Sequence, residues 1–432
     1  MKVLMFGWEF PPYISGGLGT ACYGLTKGLK NVGGVETTFI LPKLYGQEED
    51  QHVKLLAIAG NDIVQKDGNS PEKVAIPNAY GTNLMDEVKK YLAGVGDVIA
   101  RSGEFDIIHA HDWLTYQAGV EAKKISGKPL VVHVHLTEFD RAGKNTNLSI
   151  SAIERYGLDM ADKIIVVSDF TRKVIVERYQ QDPDKIVTIY NAAEPTVCAD
   201  IAGRPKNGVP IVTFLGRITY QKGPEYFIRA AHKLIQKSKA IKFIMAGDGD
   251  LLPASKILVS TLNLDKYFEF PGFLNAEEVK RLFASSDVFV MPSVSEPFGI
   301  VALEAIDAGL PIIISKQSGV SEVIQSALKV DAWETNDIAK AIDSVINDSD
   351  LSSILARGAK LESSKLNWDN SAAQLKNIYE ALINNCSEKV SGANLSGKPC
   401  AVPNAGNKPA SIPNHGAGNK QPKIDAGDDA SS

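Results

Sequence analysis

Short, unbroken apolar runs, most followed by a helical stretch, recur along this chain as far as residue 315, and that recurrence constrains the fold more than any other feature. Val3 to Trp8 is the first run. Gly16-Gly17-Leu18-Gly19 opens a helical stretch through Leu29 that stops at Gly33-Gly34, and Val35 to Leu41 is the second run. Phe105 to Ala110, Pro129 to His135, Ala161 to Ser168 and Lys185 to Tyr190 continue the pattern. A half-exposed strand alternates apolar and polar residues; one that is apolar throughout is covered on both faces, as in a parallel sheet flanked by helices. Pro, Gly, Asn and Asp gather from Ala192 to Pro210 and break the series. It restarts with runs at Val209 to Leu215, Ile241 to Ala246, Tyr267 to Pro271, Val288 to Met291 and Pro311 to Ser315, and helices at Pro224 to Ile235, Glu277 to Ala284 and Gly299 to Ala308. The spacing predicts an α/β protein of two doubly wound domains facing across a cleft, residues 1–195 and 196–385, the second ending in helices such as Ser371 to Leu382. Residues 387–432 are rich in Gly, Pro, Asn, Ala, Ser and Lys with few large apolar side chains, and are expected to be disordered.

At 432 residues the chain exceeds one ordinary core. Its net charge of −5 argues against a sequence-independent nucleic-acid binder, which carries a basic excess. Four scattered cysteines without a CxxC pair argue against a disulfide framework or a cysteine zinc site and fit a reducing, cytoplasmic compartment. The first apolar run is followed by Glu9 and Pro11-Pro12 rather than a cleavage site, so it reads as a buried strand and not a signal peptide. No stretch approaches the roughly 20 apolar residues of a spanning helix.

Three strand-to-helix loops carry candidate chemistry. In Ser295-Glu296-Pro297-Phe298-Gly299-Ile300-Val301-Ala302-Leu303-Glu304, a helix begins near Phe298 or Gly299, and its first N–H groups lack intrahelical partners at the positive end of the helix dipole. A diphosphate fits such a place, Gly299 lets it come close, and Glu296 and Glu304 can accept hydrogen bonds from sugar or ribose hydroxyls. The bland alternative, a capping Glu296 and a solvated Glu304, is outweighed by the strand–loop–helix setting. In Gly216-Arg217-Ile218-Thr219-Tyr220-Gln221-Lys222-Gly223, a guanidinium and an ammonium five residues apart suit a diphosphate leaving group; a plain solvated loop is the competing reading. Gly16-Gly17-Leu18-Gly19 is equally a tight turn, and its spacing is not that of a dinucleotide fingerprint. His109, His111 and Asp112 end one strand and His133 and His135 another. A zinc site is one reading of these histidines; polar residues contacting a sugar is the preferred one.

These residues together resemble the GT-B glycosyltransferases, in the retaining group that includes glycogen and starch synthases, whose fold is two Rossmann-like domains. The likeness covers about residues 1 to 385: Phe6-Gly7-Trp8-Glu9-Phe10-Pro11-Pro12 with Gly16-Gly17-Leu18, His111-Asp112-Trp113, Gly216-Arg217 with Lys222-Gly223, and Glu296 with Glu304 eight positions on. The resemblance implies that Arg217 and Lys222 neutralise the departing nucleoside diphosphate and that Phe298, Gly299, Ile300 and Val301 bind phosphate or sugar through their backbone. It implies that Glu304 holds the ribose, Glu296 the transferred sugar, and that His135 lies beside the reacting sugar. Gly16 and Gly17 would admit the donor phosphates, and Asp112 and Glu9 would line the acceptor side. The implied reaction is glycogen/α-glucan synthase-like: it moves a hexosyl unit, glucose, from a UDP- or ADP-sugar to a glycan acceptor, the alternative being a glycolipid, small-sugar or polysaccharide acceptor, with no cofactor and no metal. Bacterial glucan synthases usually carry Lys-Thr-Gly-Gly-Leu where this chain has Ile14-Ser15-Gly16-Gly17-Leu18, and the absent lysine argues against ADP-glucose and glucan-chain synthesis. A nucleotide-sugar epimerase or phosphorylase on the same architecture, and a non-catalytic sugar sensor, stay open at this point, as do the acceptor, the linkage and the oligomeric state.

Overall fold

The computed structural model describes residues 1–14, 16–45, 52–58, 83–194, 208–237 and 240–396, with side chains to residue 386. Two parallel sheets result. The first contains β1 (Lys2–Phe6), β2 (Glu36–Leu41), β3 (Lys54–Ala57), β4 (Ile107–His111), β5 (Leu130–Val134), β6 (Lys163–Val166) and β7 (Ile186–Thr188), in the order β3-β2-β1-β4-β5-β6-β7. The second contains β8 (Ile211–Leu215), β9 (Lys242–Ala246), β10 (Phe268–Gly272), β11 (Val288–Met291), β12 (Ile312–Ser315) and β13 (Leu328–Val330), in the order β10-β9-β8-β11-β12-β13. Strand order reverses between β1 and β4 in one sheet and between β8 and β11 in the other, and a crevice opens at the carboxyl ends of strands where the order reverses.

The apolar runs form strands because each of their side chains finds cover. Val3, Leu4, Met5 and Phe6 of β1 are all at most 1% exposed. Leu4 and Phe6 face one core, with Ile108, Val132 and Trp113; Val3 and Met5 face another, with Phe39, Ile107 and Val131. That second core continues into the other sheet through Phe289, Met291, Ile312 and Ile314. The two strands that sequence reading missed, β3 and β13, are both edge strands. Their mixed exposure lacks the continuous apolar signature of a central strand.

The helices that position the site are α1 (Gly17–Val32), α2 (Trp113–Ser126), α3 (Glu138–Ala142), α4 (Leu148–Met160), α5 (Asp169–Tyr179), α6 (Pro224–Ile235), α7 (Ile300–Asp307) and α8 (Trp368–Ser396). The apolar face expected at Ser371 to Leu382 belongs to α8, which packs against α1 within a core shared by both sheets. A Cβ at Gly24 would lie 2.1 Å from the Trp368 indole and one at Gly28 2.5 Å from the Trp368 carbonyl oxygen, so only glycine at both positions lets the helices approach this closely. Helical backbone extends to Ser396 and so enters the stretch expected to be disordered; residues 397–432 of that stretch lie outside the described residues. No helix among the described residues is long and apolar enough to cross a membrane.

Candidate active site

The second sheet's reversal point gathers two of the predicted loops. After β8 the chain turns through Tyr220–Lys222 into α6, whose first residues are Pro224 and Glu225. This turn lies against the loop after β11: the Val294 N–H donates to the Gln221 carbonyl at 2.8 Å, and a Cβ at Gly223 would strike the Pro292 carbonyl at 2.2 Å. The contact brings Lys222 onto Glu296 as an ion pair whose side chains are 17% and 8% exposed. The Ser293 hydroxyl donates to the same Glu296 oxygen at 3.2 Å. Gly299, with φ of 105°, caps α7; a Cβ there would meet Met291 at 2.9 Å and Glu296 Cγ at 3.3 Å. Phe298 is buried and packs toward Tyr190, Ile300 is buried, and Val301 is half-buried. The α7 start thus offers backbone rather than side chains.

Arg217 takes no part in the Lys222–Glu296 ion pair. It is exposed, and its guanidinium has no hydrogen bond or ion pair among the described residues. Glu304 is half-buried on α7 and its carboxylate has no protein partner among the described residues; burial raises its pKa. Two glycines that sequence reading passed over shape this wall. A Cβ at Gly247 would lie 1.9 Å from the Gly216 carbonyl oxygen and one at Gly249 2.4 Å from that of Ile218. Their signal is the Gly-x-Gly at the end of β9.

Across from this wall stand the strand ends of the first sheet. Asp112 follows β4 with a positive φ of 57°, a costly conformation for a residue with a Cβ. Its Oδ1 accepts from the His135 N–H at 2.7 Å and the Leu136 N–H at 3.3 Å, so its carboxylate holds the loop after β5. Burial pushes its pKa up to about 7 against the lowering effect of those bonds. Glu9 is 2% exposed and lies beside Gly19. Gly16 and Gly17 have open space where a Cβ would stand, whereas a Cβ at Gly19 would collide with Ile14 at 2.3 Å. Packing demands the third glycine; the first two leave room in front of α1.

His109, His111, His133 and His135 share one face of the sheet, because His111 is in register with His133. Their rings stack with centroids 4.2 to 5.4 Å apart. His111 Nδ1 is 2.9 Å from His135 Nε2, and His109 Nδ1 is 2.5 Å from the Tyr379 hydroxyl of α8. Burial lowers the pKa of His109 and His135 to about 3 and those of His111 and His133 well below the ordinary value, so all four are neutral at pH 7. Ligand atoms of His109, His111 and His133, and of Cys22, His111 and His135, lie within 4.8 Å of one another, and both His133 nitrogens are buried without a partner among the described residues. These are the residues that could hold a metal.

The two walls touch through residues not singled out on sequence. Thr137 and Asp140 form a capping box at α3: Asp140 Oδ2 accepts from the Thr137 N–H at 3.0 Å and hydroxyl at 2.7 Å. Asp140 Oδ1 accepts from the Ser295 hydroxyl at 2.6 Å. The Ser168 hydroxyl donates to the Pro297 carbonyl at 2.5 Å, and Glu322 accepts from the Asp169 and Phe170 N–H groups at the start of α5 at 2.9 and 2.6 Å. Thr137-x-x-Asp140 is a legible capping pattern; its partner across the cleft is not.

The chain matches two family models, glycosyltransferase family 4 over residues 15–197 and glycosyl transferases group 1 over residues 200–362. It is 31% identical to an uncharacterised glycosyltransferase of Methanocaldococcus jannaschii over 400 residues, which cover 88% of this chain and 98% of that one. It is 25% identical to a glycogen synthase of Mycobacterium tuberculosis, over 88% and 95% of the respective chains. The solved structure of Anabaena HepE in complex with UDP and glucose superposes with a TM-score of 0.65 at 18% identity, over 88% of this chain and all of that one.

Proposed function

The chain belongs to the GT-B glycosyltransferases, in the group of the glycogen and starch synthases, and from that membership we propose that it moves a glucosyl unit from a nucleotide-sugar to a glycan acceptor with retention at the anomeric carbon, without a metal ion. The observation that carries this reading is the Lys222–Glu296 pair beside the amino end of α7, at the reversal point of the second sheet. An ammonium, a helix start and, on the loop after β8, an exposed guanidinium without a partner supply positive charge where a diphosphate departs. Glu304 supplies an acceptor for ribose hydroxyls, and Glu296 one for the transferred sugar. The glycogen synthase relative and the UDP- and glucose-bound neighbour support this choice of donor and unit.

In the proposed step the bond from the anomeric carbon to the diphosphate oxygen breaks as the acceptor oxygen bonds to the same face. The acceptor hydroxyl passes its proton to the departing phosphate oxygen. Lys222 and Arg217 offset the charge that builds there, His135 serves beside the reacting sugar and Asp112 on the acceptor side, and the closed cleft keeps water from the donor. The test is a panel of UDP-, ADP- and GDP-sugars with glycogen and free sugars as acceptors, read by mass spectrometry with and without excess EDTA. Transfer with retained configuration and undiminished by EDTA is expected. Loss of transfer in EDTA, restored by zinc or magnesium, would transfer the chemistry to the histidine group instead.

A further inference from the structure

Glu296 is flanked on both sides by residues that reach across the cleft: Ser295 bonds to Asp140 and Pro297 to Ser168. Of these, the Asp140 link is the more telling, because one buried carboxylate serves both domains. Its Oδ2 closes the capping box of α3, and its Oδ1 takes the hydroxyl proton of Ser295. The N-cap residue, Thr137, is two positions from His135, whose N–H is held by Asp112. A chain of hydrogen bonds and short backbone segments therefore runs Asp112, His135, Thr137, Asp140, Ser295, Glu296, Lys222. It begins at the floor of one domain and ends on the charged pair of the other. The capping box alone would satisfy an ordinary helix start with one oxygen. The second oxygen is buried (Asp140 is 4% exposed), so without Ser295 it would lose its partner away from solvent.

We propose that Asp140 is a positioning residue that sets the place of Glu296 by tying Ser295 to the segment running back to His135, so that the sugar-binding carboxylate is in register only when the two domains are together. This rests on the glycosyltransferase reading for what Glu296 does, and on geometry alone for the link. Asp140 touches neither donor nor acceptor in this scheme.

The test uses the full chain and the donor that the panel identifies. Ser295→Ala deletes the crossing bond and leaves the capping box whole. Turnover is expected to fall about tenfold with the donor KM altered less than about twofold, and Ser295→Thr to restore it. Ser295→Ala should add little to Asp140→Ala in the double variant, because Asp140→Ala already removes the crossing bond along with the capping box. Hydrogen exchange at the amides of residues 294–299 in the ligand-free chain reads the link without turnover; it should quicken there in Ser295→Ala and stay unchanged in β1 and β4. Losses that multiply in the double variant, or turnover and exchange unchanged by Ser295→Ala, overturn the proposal. A wild-type chain inert with every donor sinks the glycosyltransferase reading instead, while the exchange comparison still decides the link.

Discussion

Lys222 and Glu296 satisfy each other in the ligand-free site, and the chemistry proposed for them begins when a diphosphate competes for the ammonium. Replacing Lys222 by alanine would leave a nearly buried carboxylate unpaired, which costs stability as well as function. Lys222→Gln keeps a donor for Glu296 and removes the charge. Its turnover is expected to drop by about two to three orders of magnitude, the scale of losing a preorganised charge-stabilising group, with the thermal midpoint nearly unchanged; near-normal steady-state rates would remove Lys222 from the leaving-group role. Glu154 shows a different use of burial. It accepts the Glu138 N–H and the Tyr179 hydroxyl, and burial pushes its pKa up to about 8. Because its unfolded pKa lies near 4.3, the folded state holds the proton more tightly, and this contribution is full below about pH 4 and is lost as pH rises toward 8. Urea unfolding of wild type against Glu154→Gln should therefore show wild type losing ground to the variant between about pH 5 and 8. A pH-independent difference would mean that Glu154 is ionised in the fold.

At the scale of elements, α1 divides its glycines between two tasks. Gly24 and Gly28, one turn apart, admit α8; Gly16 and Gly17 front open space beside the cleft. Gly24→Ala forces a methyl into the Trp368 indole and should cost about 1–3 kcal/mol in urea unfolding. Gly16→Ala should leave stability within about 0.5 kcal/mol and weaken nucleotide-sugar binding by calorimetry, since the methyl would occupy the space in front of the helix. Equal stability losses in the two variants would contradict this division. The glycine cluster at residues 16–19 was visible in sequence, but not which glycine the packing demands: Ile14 contacts Gly19 only because the chain bends back over α1. The loops at 216–223 and 293–299 were legible for a firmer reason. Each sits between a continuous apolar run and a helix, and a parallel sheet puts every such loop at the same end. The edge strands β3 and β13 were not legible, since partial exposure dilutes their apolar signal.

For the whole molecule, two sheets share one continuous core, and α8 returns from the second series to pack on the first. A ligand that bridges the domains should stabilise both. UDP, ADP and GDP compared by thermal unfolding should single out the donor nucleotide, with about 2.7 kcal/mol of added stability at a hundredfold excess over Kd, and Glu304→Ala should reduce that gain. Three nucleotides that shift the midpoint equally, or a Glu304→Ala chain that responds as wild type does, would remove the ribose role. By itself the amino-acid order determined the parallel α/β class, the two series and the loops that carry charge, because those follow from local periodicity and from short-range turn chemistry. Tertiary structure alone decided that Lys222 meets Glu296, that four histidines stack on one face, and that Asp140 reaches Ser295. Such pairings join residues up to 155 positions apart, and they depend on how helices and sheets pack, which no local pattern encodes.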